Sequence, residues 1–172
     1  NFFFGPDFGL KLLEFSKRPN ATAISSHCFA YRVLDSSQYG VVAFDDLENP
    51  IKLIEKPRNH ISPWAIPGLY YFDSRAVEFS ELLSPSSRGE IEILSILEKY
   101  LQLNSLMVHK VSRGNSWFDL GTFESLLTAS NFVHLIEARQ GLQIGNPIEA
   151  AKEIGLISDR EAQKISLSYF NH

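Results

Sequence analysis

Along the first 111 residues, short apolar runs alternate with stretches whose apolar side chains recur at helical spacing, and turn residues separate the two. A chain patterned this way has to pack helices against a sheet, so an α/β layer structure is expected. Phe8, Leu12 and Phe15, broadened by Leu10 and Leu13, predict a helix over Pro6 to Ser16, opened by Gly5-Pro6-Asp7. β-rich residues from Thr22 to Val33 predict a strand. Tyr39 to Phe44 and Ile51 to Ile54 flank the turn residues Asp45-Asp46-Leu47-Glu48-Asn49-Pro50, which predicts a hairpin. Ala65 to Phe72 reads as one further strand, with Pro67 marking an edge or a bulge.

Helices follow around Val77, Leu82 and Leu83, and over Glu92 to Leu103, before a strand at Leu106 to Val111. A parallel arrangement of these strands is compatible with the order. The clearest helix runs from Thr122 to Gln140, with a stripe of Leu126, Leu127, Phe132, Val133 and Ile136 and Gly141 at its C′ position. Shorter helices are expected over Pro147 to Ile154 and Ser158 to Ile165. The chain therefore reads as a sheet-rich part, 1–121, and a helical part, 122–172, with no linker between them.

Composition narrows the function. With 172 residues, 44% of them apolar, the chain can bury a core without disulfides or structural metal. Sixteen basic against twenty acidic side chains lack the positive field of a nucleic-acid binder. An aromatic content of 12% is too high for an acidic disordered tail. The one cysteine, Cys28, excludes an internal disulfide and paired-cysteine zinc sites. No run approaches the roughly 18 apolar residues that span a bilayer, and Asn1-Phe2-Phe3-Phe4-Gly5 lacks the basic flank of a secretory signal. The default is a chain of the reducing cytoplasm without nucleic-acid or membrane partners. Its aromatic ends, Asn1-Phe2-Phe3-Phe4 and Tyr169-Phe170-Asn171-His172, read as those of a piece of a larger protein.

Four segments carry candidate chemistry. Glu55-Lys56-Pro57 closes a short strand, where α/β proteins commonly bind ligands. A lysine ammonium meets a phosphate as a point charge and a carboxylate accepts from hydroxyls, although a solvated turn before proline has the same composition. Glu90 and Glu92, after Arg88-Gly89, stand at a helix start, where acids favour the dipole and capping alone would explain them. Asp119, between Trp117-Phe118 and Leu120-Gly121-Thr122, could hold a hard cation or simply satisfy backbone donors of the turn. Tyr39-Gly40-Val41 could be a ligand loop or a glycine turn into a strand. His27, His60, His109, His134 and His172 lack metal-ligand spacing, and neither G-x-x-x-x-G-K-S/T nor G-x-G-x-x-G occurs.

Taken together and in order, these segments resemble the bacterial sugar-1-phosphate nucleotidylyltransferases, and within them the thymidylyltransferase branch of the dTDP-rhamnose pathway. The resemblance runs through Asn1-Phe2-Phe3-Phe4-Gly5, Tyr39-Gly40-Val41-Val42, Glu55-Lys56-Pro57, Gly68-Leu69-Tyr70, Arg88-Gly89-Glu90 and Trp117-Phe118-Asp119-Leu120-Gly121-Thr122. Ala129-Ser130-Asn131-Phe132-Val133 and Ile136-Glu137-Ala138-Arg139-Gln140-Gly141-Leu142 are its most branch-specific parts. It implies an incomplete α/β, Rossmann-like nucleotidyltransferase domain with a mixed sheet and C-terminal helices, and an enzyme joining dTTP to glucose 1-phosphate with release of pyrophosphate and dTDP-glucose. By resemblance, Asp119 is one of two Mg2+-binding carboxylates and the catalytic metal ligand. Lys56 would hold the sugar phosphate and Glu55 the glucose hydroxyls. Tyr39, Gly40, Ile66, Gly68, Tyr70 and Trp117 would line the sugar pocket, and Gly5 and Arg113 would belong to a second, regulatory nucleotide site.

The departures set further expectations. The family's glycine-rich triphosphate loop and its other metal aspartate precede the residue matching Asn1, so the chain alone is expected to be inactive and to work with a separate N-terminal half. Leu94-Ser95 stand where a Thr-Asp pair is usual, and Pro67 and Leu120 each replace a threonine. A homo-oligomer is expected, as in the family. A non-catalytic sugar-nucleotide-binding remnant and a uridylyl or cytidylyl transferase relative remain open alternatives.

Overall fold

The computed structural model describes residues 1–16, 26–86, 88–141 and 143–170. The chain divides into two units, Asn1–Gly121 and Thr122–His172. The first runs β1 (Phe2–Phe4), α1 (Pro6–Ser16), β2 (Ser26–Arg32), β3 (Gly40–Phe44), β4 (Pro50–Glu55), β5 (Trp64–Ala65), β6 (Tyr70–Phe72), α2 (Arg75–Glu81), α3 (Ile93–Gln102), β7 (Leu106–Lys110) and β8 (Ser116–Phe118). The part of the strand expected over 22–25 lies outside the described residues.

Strand β2 is the centre of this unit. It pairs in parallel with β7 along Ser26 to Ala30 and antiparallel with β6 along Ser26 to Cys28, and its last two residues pair with β5. The remaining strands extend the sheet in the order β4-β3-β5-β2-β6. The sheet is thus mixed. Among the described residues β2–β7 is its one parallel pair, so of the arrangements the strand order allowed the chain adopts the mixed sheet that the resemblance implied. A hairpin needs only a tight turn, and Asp45 supplies one by accepting the N–H groups of Leu47 and Asn49 at 3.0 and 2.7 Å.

Alternation along β2 feeds two cores. Cys28 and Ala30 face Leu94, Leu97 and Tyr100 of α3, together with Val42, Leu53 and Ile66. Phe29 faces Phe8 and Phe15 of α1, together with Ala65, Val111 and Trp117. The sheet is therefore covered by α3 on one face and α1 on the other. Tyr100 is fully buried and its hydroxyl donates to Asp73 Oδ1 at 2.6 Å, which ties the start of α2 to α3.

The single strand expected over Ala65 to Phe72 is two. β5 pairs with Tyr31 and Arg32, whereas β6 pairs with residues at the opposite end of β2. Between them Pro67 is buried without a backbone donor, and Leu69 N–H closes a tight turn on Pro67 O at 2.7 Å. A proline cannot contribute its N–H to a ladder, so the strand breaks there. β1 and β8, absent from the sequence reading, form a separate two-stranded ribbon with Phe2 opposite Phe118, Phe3 opposite Trp117 and Phe4 opposite Ser116.

The second unit holds α4 (Phe123–Gln140), α5 (Pro147–Glu153) and α6 (Asp159–Phe170). Thr122 caps α4 through a reciprocal box with Ser125, and Gly141 ends it at φ 66°, a backbone conformation that glycine adopts without strain. Asn146 caps α5 ahead of Pro147, and Ser158 and Glu161 cap α6, which runs beyond the expected Ile165. Leu126 and Leu127, expected in the buried stripe of α4, are exposed. No helix among the described residues is long and apolar enough to cross a membrane.

Leu97→Ala should lower the unfolding free energy by about 2–5 kcal/mol, the range for emptying a buried leucine site. Tyr100→Phe should cost about 1 kcal/mol by removing the hydroxyl donor to Asp73, whose carboxylate keeps its bonds from Arg75 N–H and Nε. Urea denaturation measures both. An unchanged midpoint for Leu97→Ala would show that α3 does not close the core.

Candidate functional site

The hairpin of β3 and β4 ends with Gly40 opposite Glu55. A side chain at position 40 has no room, because a Cβ would lie 2.8 Å from Leu94 Cδ1 and 3.0 Å from Glu55 Oε2. Glycine here lets the carboxylate fold back over the strand. The next residue, Lys56, has φ 40°, which favours glycine or asparagine, and its N–H donates to Tyr39 O at 3.1 Å. Pro57 disfavours the right-handed helical conformation for the residue before it, so the chain turns sharply and the lysine side chain is exposed. Ile66 N–H donates to Gly40 O at 2.7 Å and brings the Ile66 to Gly68 segment alongside.

An aromatic wall stands on the other side. The Trp117 ring meets the edges of Tyr39 and Tyr31 at centroid distances of 5.0 and 5.7 Å. Its Nε1–H donates to Asn1 Oδ1 at 2.9 Å, and the Asn1 amide lies where a Cβ on Gly68 would be, 2.7 Å from Nδ2. Two residues past Trp117, Asp119 is exposed and makes no hydrogen bond or ion pair among the described residues. Burial raises the Tyr39 phenol above its ordinary range, and the negative charges of Asp119 and Asp35 add to it. Burial, with smaller contributions from Cys28 and Glu55, pushes Tyr70 up to about 12.

Arg88 sits over Glu55. Its guanidinium lies 3.5 Å from Glu55 Oε1, 3.3 Å from Glu92 Oε1 and 3.0 Å from Glu90 Oε2. Glu92 occupies the N-cap position of α3 without a side-chain capping bond; its Oε1 instead accepts from Ser86 Oγ at 3.0 Å and pairs with Arg88. Burial raises the Glu55 carboxyl above its usual range, Glu92 adds to that, Lys56 and Arg88 oppose it, and Glu90 adds again.

The structure therefore brings Tyr39, Gly40, Glu55, Lys56, Ile66, Gly68, Tyr70, Trp117 and Asp119 to one region of the first unit. Gly5 and the exposed Arg113 lie towards the other end of the β1–β8 ribbon. Sequence reasoning did not single out the Asn1 contact with Trp117 or the contact of Arg88 with Glu55. The Arg88-Gly89-Glu90 triplet was a signal for the second, and nothing local signalled the first. His27 is buried, with Nδ1 3.0 Å from His109 Nε2 and its ring stacked on Phe15, so it belongs to the core. His172 lies outside the described residues. A cavity of about 290 Å³ elsewhere, lined in part by Asp7, Lys11 and Lys110, has both lysines paired, to Glu14 and Glu48.

For a hard cation the donor chemistry fits in part. Asp119 offers two carboxylate oxygens, while no three His, Cys, Asp or Glu side chains converge among the described residues. Magnesium usually takes one or two protein carboxylates and completes its shell with water and substrate phosphates, so one exposed aspartate is a compatible partial site.

Residues 3–135 match the nucleotidyl transferase family, and the chain belongs to it. It is 41% identical over 176 residues to a glucose-1-phosphate thymidylyltransferase of Mycolicibacterium smegmatis, covering 100% of this chain and 59% of the relative. It is 38% identical over 163 residues to one from Neisseria gonorrhoeae, with 95% and 55% covered. A Bacillus anthracis structure assigned as a glucose-1-phosphate thymidylyltransferase, in complex with sucrose, superposes with a TM-score of 0.63 at 29% identity, over 75% of this chain and 50% of that one. A UDP-glucose pyrophosphorylase complexed with UDP-glucose shares the fold, with a TM-score of 0.59 at 21% identity, over 73% and 47%. The chain spans about half the length of the curated relatives it matches.

Folded Glu55 binds its proton more tightly than the unfolded chain does, so its ionisation opposes folding as pH rises from the unfolded value near 4.5 through the folded one. Glu55→Gln removes that slope. Melts from about pH 4 to about pH 7 should show the variant gaining stability relative to the parent as pH rises. Parallel curves would mean that Glu55 is not desolvated. Gly40→Ala should displace Glu55 and lower the melting temperature. An unchanged melt with an unchanged Glu55 titration would show that the strand has room to spare.

Proposed function

We propose that the chain is the sugar-phosphate-binding part of a glucose-1-phosphate thymidylyltransferase, the enzyme of the dTDP-rhamnose pathway that converts dTTP and glucose 1-phosphate to dTDP-glucose and pyrophosphate. The observation that carries this reading is the Gly40–Glu55 approach with Lys56 next to it. It sets a desolvated carboxylate beside an exposed ammonium at the open end of a hairpin. The relatives' names support the choice of base and sugar.

In this reading Glu55 accepts hydrogen bonds from glucose hydroxyls, and Arg88 keeps it from swinging into solvent. Lys56 neutralises the sugar phosphate, one of whose oxygens attacks the α-phosphorus of dTTP while the bond to the β-phosphate breaks and pyrophosphate leaves. Tyr39, Gly40, Ile66, Gly68, Tyr70 and Trp117 wall the sugar and exclude water. Phosphoryl and nucleotidyl transfer depend on positioning and charge neutralisation more than on covalent participation by the protein. Asp119 would hold Mg2+, which when bound polarises phosphate oxygens and offsets their charge. Gly5 and Arg113 would contribute to a second nucleotide site, and the working form would be a homo-oligomer.

Calorimetric titration of this chain with dTDP-glucose, with and without Mg2+, tests the reading. Saturable binding is expected, weakened about tenfold, or about 1.4 kcal/mol, by Lys56→Ala. A folded sample that takes up no dTDP-glucose, or a Lys56→Ala variant that binds as well as the parent, would overturn it.

A further inference from the structure

The β1–β8 ribbon has two unlike ends. At one end stand Asn1 and Asp119, and the indole of Trp117, from the central pair, donates to Asn1 Oδ1. At the other, Asn115 is buried, and each of its side-chain polar atoms is used. Its Oδ1 accepts the Asp7 N–H at 3.1 Å, and its Nδ2 donates to Ser112 O at 3.2 Å and to Ser112 Oγ at 3.1 Å. Asp7 Oδ2 closes the network by accepting the Ser112 N–H at 2.9 Å and its hydroxyl at 2.6 Å. The Ser112 hydrogen bonds hold the Asp7 carboxyl below its ordinary range. Tyr31 OH adds a bond to Asn115 O at 3.4 Å. Gly5, at φ 125°, lies so close that a Cβ on it would overlap Asn115 Oδ1.

A ribbon of three residue pairs is marginal on its own, and a slip of one residue sends every side chain to the other face. The ring contacts along it, Phe2 with Phe118 at 5.9 Å and Phe3 with Phe8 at 4.8 Å, are attractive without dictating register. The network around Asn115 is directional, and it joins segments about a hundred residues apart in sequence.

We propose that Asn115, held by Asp7 and Ser112, is a positioning residue that fixes the register of the β1–β8 ribbon and so sets Trp117 and Asp119 against Tyr39. That these two belong to a ligand site rests on the function proposed above. The register effect itself does not.

The two tryptophans, Trp64 and Trp117, give two indole N–H signals in a ¹⁵N-labelled chain, and Trp117→Phe assigns them. In Asn115→Ala, exchange of the Trp117 indole proton with solvent should accelerate at least about tenfold while Trp64 keeps its rate, because local opening and global unfolding expose different protons. Asp7→Ala should behave the same way. Asp7→Asn, which keeps an acceptor for Ser112, should restore the parent's rate. A folded Asn115→Ala variant with an unmoved Trp117 signal overturns the proposal, as does equal acceleration at both tryptophans. Should Asn115→Ala fail to fold, Ser112→Ala removes one hydroxyl donor and should give a smaller acceleration confined to Trp117; none overturns the proposal. Where the parent binds dTDP-glucose, Asn115→Ala should bind it more weakly, and full affinity overturns the proposal. A parent that binds none removes the function reading and leaves the exchange result to decide this one.

Discussion

A strand buried on both faces has no polar side to offer water, so the backbone groups along it must find partners inside the sheet. β2 meets that demand with three neighbours and becomes the piece around which the first unit is arranged. Because β6 pairs with its first three residues and β5 with its last two, the connection from β5 to β6 has to travel along β2 before pairing resumes. Pro67 and Gly68 lie in that connection. The segment that later meets Gly40 O and the Asn1 amide is therefore irregular because of how β2 is paired.

Among the described residues three non-glycine residues have positive φ, Glu48, Lys56 and Asn104, and Lys56 is the one that lies where the candidate residues meet. Lys56 holds a left-handed conformation that costs a non-glycine residue about 1–3 kcal/mol. Burial of Glu55 opposes its charge, and Gly40 gives up a side chain to make space for it. None of these choices improves the hairpin as a hairpin. Glu48 also has positive φ, but it lies in the tight turn at the other end, where Asp45 accepts two N–H groups in compensation.

Helices were the most legible part of the sequence. The α1 stripe of Phe8, Leu12 and Phe15 and the Thr122 and Gly141 boundaries of α4 are local signals, and the structure has them where the pattern places them. Short strands carried less. Three residues are too few for alternation to register, so Phe2–Phe4 and Ser116–Phe118 read as aromatic clusters until pairing across the chain made them strands. The break at Pro67 was visible as a proline, but that β5 and β6 address opposite ends of β2 is a long-range fact. The same holds at the site. Glu55-Lys56 is a local pair, whereas the contacts of Asn1 with Trp117 and of Arg88 with Glu55 depend on folding.

The charges of the site are ordered along the chain's own geometry. One guanidinium, Arg88, is shared among Glu55, Glu90 and Glu92, so that cluster keeps an excess of negative charge and of hydrogen-bond acceptors. Such a surface suits neutral donors such as sugar hydroxyls and repels an anion. One residue on, Lys56 presents a positive charge with no ion pair among the described residues, which suits a phosphate. On the proposed reading, a sugar phosphate entering backwards would set its phosphate against the carboxylates, so this polarity alone selects one orientation. Asp119 extends the argument. On the same reading an anionic group facing bound phosphates is unfavourable unless a cation lies between them, so Asp119, exposed and without an ion pair among the described residues, would serve as a partial cation site rather than as a substrate contact.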